Sequence, residues 1–226
     1  MKPRPLCNKL NEMLERGLER GVFLAIQTHV LAGPLGRESL GPTTTLGMVA
    51  DFGINLHEFV KVLDEGRYSA VFSNYAILRI ECSFDSDRLR RHRYSYIPCP
   101  VEPTSLLGRP PDKPIVEWIV DVVSAGGDDL FRSLGAYRFD FDSALLNSAV
   151  EGHPASHLTF VSPECRMPVR SPMSISHFMN FIFDNFYKGD REFWLDYAPF
   201  LSSYGIEDTI TEGEQLLHHI YWRDEL

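Results

Sequence analysis

From residue 76 the chain alternates. Ala76, Leu78, Ile80, Cys82 and Phe84 fall on one side, and Arg79, Glu81 and Ser83 on the other. A period of two is that of a pleated strand, so the stretch predicts a half-buried β-strand. The turn residues "DSDR" and a second strand, "HRYSYIPCPV", follow. A connection this short makes the two strands antiparallel neighbours. "AYRFDFD" repeats the period, with Tyr137, Phe139 and Phe141 opposed to Arg138, Asp140 and Asp142.

Elsewhere the apolar spacing is helical. Leu6, Leu10, Met13, Leu14 and Leu18 predict a helix over residues 4–20. The apolar stretch "VFLAIQTHVLA" and a breaker loop, "GPLGRESLGPTTT", come next. Ile54, Leu56, Phe59, Val60 and Leu63 predict a second helix stopped by Gly66, and "PIVEWIVDVVSAGG" a third. In "SISHFMNFIFDNFY", Ser174 or Ser176 can cap a helix whose stripe of Ile175, Phe178, Met179, Ile182, Phe183 and Phe186 packs on the sheet. Residues 191–222 read as further helix ending in "EQLLHHIYW", with His218 and His219 as surface and core neighbours. Helices and strands in blocks indicate an α+β fold: an antiparallel sheet with a C-terminal hairpin, packed on one face by helices. The expected organisation is a single domain over 1–226, with a helical N-terminal part to about 66, a sheet-containing core over about 67–190 and a helical C-terminal part from about 191.

The hairpin is expected in "SHLTFVSPECRMPVR", where Ser162 and Pro163 fit a type I turn. Pairing Val161 with Arg166 sets Phe160 opposite Met167. Leu158, Phe160, Cys165, Met167 and Val169 then form a buried face, and His157, Thr159, Arg166 and Arg170 the open one. If the strand holding Arg138, Asp140 and Asp142 lies beside this hairpin, its charges share the His157 side. His157, Asp140 and Asp142 are thus candidate catalytic residues and candidate metal ligands. Arg138, His153, Ser156 and Arg166 are candidates for binding a ligand. Arginine offers phosphate a planar fork, and a His/Asp group can hold a divalent cation or move protons. The plainer alternative is a scaffold of cross-strand ion pairs on the wet side of a sheet.

Charge narrows the partners. Twenty-two Lys and Arg against 31 Asp and Glu leave a net −9, which opposes approach to nucleic acid as a general partner. The patch of Arg88, Arg90, Arg91, His92 and Arg93, with Tyr94 and Tyr96 beside it, reads as a solvated turn. Four cysteines without a C-x-x-C pair suggest reduced thiols in a cytosol. No apolar run suits a signal peptide or a membrane span, and the "RDEL" ending is read as an accidental polar tail. His57-Glu58 begins like a zinc-protease motif, but Lys61 stands where the second histidine is required.

The order "RFDFD", "HPASHLTF", "CRMPV" and "SISHFMNFIFDNFY" is similar to an uncharacterised bacterial family, domain of unknown function 2290, closely over the C-terminal half and loosely through "RYSYIPCP". Arg138, Asp140, Asp142, His153, Pro154, Ser156, His157, Arg166 and Pro168 match its pattern. Ser162 stands where members carry glycine. The resemblance implies a bacterial protein and no reaction. The expected function is a cytoplasmic binding or adaptor module, acting with a partner protein or an anionic, phosphate-bearing ligand through the Asp/His/Arg face. The alternative is a metal-assisted hydrolase such as a nuclease or phosphodiesterase, with a divalent metal as its cofactor.

Overall fold

Helix α1 (Pro3–Glu19) opens with proline, whose missing N–H costs nothing in the first turn. It buries Leu6, Leu10, Met13 and Leu14 along one stripe. The structure, a computed structural model, describes residues 2–43, 56–126, 135–147, 153–160, 165–201 and 207–221. In chain order come β1 (Phe23–Ile26), β2 (His29–Ala32), β3 (Ser39–Pro42), α2 (Leu56–Asp64), β4 (Ala70–Phe72), β5 (Ile77–Asp85), β6 (Arg88–Ile97), α3 (Ile115–Ala125), β7 (Tyr137–Asp142), β8 (Ser156–Phe160), β9 (Arg166–Pro168), α4 (Ile175–Phe186), α5 (Arg191–Leu195) and α6 (Glu212–Gln215).

Among the described residues the strands make one sheet in the order β1-β4-β5-β6-β7-β8-β9, with β3 pairing with both β2 and β5. Every strand pair is antiparallel. The α+β reading holds, and the stretch from β5 to β9 is a meander of sequence neighbours. None of the described helices is long and apolar enough to cross a membrane.

One face is apolar. Ile80, Tyr94, Phe139 and Leu158 line up across four strands, and α1, α4 and α5 pack on this side in one cluster. Ser174 caps α4 by accepting from the His177 N–H. Phe178 then lies 5.4 Å from Tyr94 and 6.0 Å from Phe139, and Phe183 stacks on Trp194 at 5.9 Å. Val71, Ile77 and Ile97 join a second, smaller cluster with α2 and α3. Parity along β5 and β6 puts Ile77 and Ile97 on the face opposite Ile80 and Tyr94.

Several expectations change. The "VFLAIQTHVLA" stretch and part of the breaker loop are strands β1 to β3, so the N-terminal part is not wholly helical. Paired along its length with β2 and at its start with β5, β3 accommodates Pro42 at its end. Among the described residues the C-terminal part holds only short helices. Ile220 forms a parallel bridge to Val169 in place of a helical turn, and His218 and His219 are both exposed. Tyr94, Tyr96 and His92 of the basic patch are buried, while Arg88 and Arg90 are exposed.

The hairpin is corrected in register and in burial. His157 faces Pro168, Leu158 faces Met167 and Thr159 faces Arg166, two residues from the expected pairing. A shift of two preserves the division into faces. Yet Phe160 and Met167 are 38% and 37% exposed and Cys165 is exposed, whereas His157 and Thr159 are buried. Val169 is buried and Arg170 exposed, as expected, but the charged side, expected to be wet, is covered at His157 and Thr159. The turn at Ser162-Pro163, Ile54 and the side chains of His57 and Glu58 lie outside the described residues.

Candidate functional site

Antiparallel partners share a face, so the registers of five strands assemble the polar side into two rungs. Arg79, Ser95, Arg138, Thr159 and Arg166 form one, and Glu81, Arg93, Asp140, His157 and Pro168 the next. Arg79, Glu81, Ser95, Arg138, Asp140, His157 and Thr159 are all buried. Charges at such depth are tolerated only when paired. Arg79 pairs with Glu81 two residues along its own strand.

Asp140 is the hub. Its Oδ1 accepts from Arg93 Nε at 2.7 Å and its Oδ2 from Arg138 Nε at 2.6 Å. Burial alone would push this carboxyl up; the guanidiniums of Arg93 and Arg138 outweigh it and hold Asp140 below the usual carboxylate range. His157 Nε2 stands 3.6 Å from Asp140 Oδ2, and His157 Nδ1 lies 2.9 Å from the Pro154 carbonyl oxygen. Burial lowers the His157 pKa; Asp140 opposes the shift without reversing it, and His153 and Arg166 reinforce it. At neutral pH the ring is therefore uncharged. Asp140 owes its ionisation to the arginines.

The other expected residues separate. His153 is half-buried with its ring 5.1 Å from that of His157. Arg166 is half-buried and diagonal to His157 across the β8–β9 pair, with its Nε buried and without a hydrogen-bond partner. Asp142 stays at the margin, where it accepts from the Ala144 N–H and lies 2.8 Å from Arg91 Nε. Ser156 sits on the opposite face, paired with Phe141, and its Oγ accepts from Thr209. The structure thus brings Arg138, Asp140, His157 and Arg166 to one side, with His153 beside them.

Arg79, Glu81 and Arg93 belong to this layer and were not among the candidates. The signal was present in the alternation of Arg79 with Glu81 and of Arg91 with Arg93, the same period as Arg138, Asp140 and Asp142. For a metal the donor set is poor. Each Asp140 oxygen already accepts from a guanidinium, and no group of three or more His, Cys, Asp or Glu among the described residues is placed to hold an ion.

A model of a family described as an uncharacterized conserved protein (DUF2290) matches residues 51–222. Neither a curated protein nor a solved structure matches the chain.

Proposed function

We propose the following role for this chain, which belongs to the DUF2290 family: a binding module of the bacterial cytosol that takes an anionic group at the β8–β9 end of its polar layer. The anion is carried by a small phosphate-bearing ligand or by a partner protein. The observation that carries this reading is Arg166. Among the described residues it pairs with no carboxylate, its Nε is buried without a partner, and it is reachable from solvent, unlike Arg79. An arginine so placed has its fork available for an oxyanion. Asp140, held by two arginines, acts as the organiser of the layer and not as a metal ligand.

Calorimetric titration of the full chain with inorganic phosphate and pyrophosphate tests this. Binding is expected, weakened at least about tenfold in Arg166→Ala, the loss that follows from one charge-assisted hydrogen bond, with the melting temperature unchanged. Absence of anion binding overturns the proposal. Phosphodiester turnover that requires manganese or magnesium and is lost in Asp140→Asn protein that is still folded favours the metal-assisted hydrolase instead.

A further inference from the structure

The hydrogen bond of His157 fixes which of its nitrogens is available. The Pro154 carbonyl oxygen can only accept, so Nδ1 at 2.9 Å carries the ring proton. In the neutral ring Nε2 is then a lone pair. It makes no hydrogen bond among the described residues, and Asp140 Oδ2, 3.6 Å away, is itself an acceptor. Two acceptors therefore face each other with no proton between them.

Arg166, diagonal to His157 at the half-buried end of the same face, supplies the opposite character. Diagonal neighbours across a strand pair lie about 7–8 Å apart, within reach of a long side chain. A ligand that meets both groups must accept from a guanidinium and donate to a buried acceptor. A fully ionised oxyanion satisfies Arg166 and places a bare oxygen against Nε2 and Asp140. One that retains a proton satisfies both.

We propose that this site selects an oxyanion that still carries a proton, of the hydrogenphosphate kind, over a fully ionised oxyanion of the same charge and shape. The selectivity rests on the anion-binding reading of Arg166 and adds to it a discriminating residue, His157. Its source is the cost of leaving a buried acceptor opposed by another acceptor, the same asymmetry by which enzymes reject an analogue lacking one hydrogen-bonding group. Burial of His157 keeps the ring neutral at the pH of the test.

Titration of the full chain at pH about 7.5 with inorganic phosphate and with sulfate isolates the proton, because hydrogenphosphate and sulfate match in charge and geometry. Phosphate is expected to bind at least about tenfold more tightly, and arsenate to exceed selenate in the same sense. His157→Gln, whose amide can donate, is expected to narrow the ratio. If that variant does not fold, the arsenate and selenate pair still decides. Equal binding of phosphate and sulfate overturns the selectivity and leaves Arg166 as an anion site. Binding of neither, with no change in Arg166→Ala, overturns the anion reading itself, and the selectivity falls with it.

Discussion

The two faces of one sheet bury themselves by opposite means. On the apolar face Phe178, Phe183 and Trp194 fill space against Tyr94 and Phe139, and burial follows from area removed from water. On the other, Arg79, Arg138 and Asp140 are also buried, and burial there is tolerable only because charges meet charges. The first face is forgiving in detail and the second is not. A methyl lost from a core leaves a cavity, whereas a carboxylate lost from the polar layer removes the charge that two guanidiniums share.

Removing one buried side chain from each face separates the two means most directly. Phe183→Ala is expected to destabilise by about 3–5 kcal/mol as a buried aromatic truncation. Asp140→Asn is expected to cost about the same by uncoupling Arg93 and Arg138. Denaturant melts check both, and a loss under about 1 kcal/mol for Asp140→Asn would mean that the polar layer behaves as an exposed surface. Acid sharpens the contrast through the histidines. Burial pushes the His92 pKa down to about 3 and that of His29 down to about 4, and that of His157 is lowered as well.

The folded protein keeps these rings neutral while the unfolded chain protonates them near pH 6.5. Their contribution to stability is therefore complete above about 6.5 and is lost as the pH falls towards the depressed values. The loss approaches about 1.4 kcal/mol per pH unit for each histidine. Melts at stepped pH read the slope, and a flat profile between about 6.5 and 4.5 would contradict the neutral assignment. The smallest effects belong at the hairpin rim. Phe160→Ala and Met167→Ala, each more than a third exposed, are expected to lose about 1 kcal/mol. Arg170→Ala, whose pair with Asp208 is in solvent, should lose about 0.5 kcal/mol or less on the same denaturant melts.

Much of the fold was legible because periodicity reports which residues share a side. The alternation of side chains through β5, β6 and β7, the Ser174 cap and the α4 stripe from Ile175 to Phe183 stand as read, whereas β5, expected half-buried, is buried on both faces and Phe186 is exposed. Periodicity does not report which side is covered. The hairpin's division into faces was therefore right, and its burial held for Val169 and Arg170 but not for Phe160, Met167, His157 and Thr159. Arg93 was grouped with an exposed basic patch although its partner lies 47 residues along the chain in Asp140. The Thr209 contact with Ser156 and the Ile220 bridge to Val169 were equally out of reach, since both join segments more than 50 residues apart. In "EQLLHHIYW" an apolar spacing suited to a helix yields to pairing along the extension of β9, where backbone groups find partners in Pro168 and Arg170.

The order of charges across the second rung also acts on strand alignment. In the observed register Arg93 meets Asp140 and Ser95 meets Arg138. Sliding β7 by two residues one way would set Arg138 against Arg93, like charges in a buried sheet. The opposite slide would set Arg138 against Ile97 and Asp140 against Ser95. Either misalignment keeps every phenylalanine on the apolar face, so the hydrophobic pattern alone does not forbid it. The observed register is the one that gives buried Asp140 both Arg93 across the pair and Arg138 on its own strand, and in this way the polar layer acts as a ruler for where β7 stops along β6.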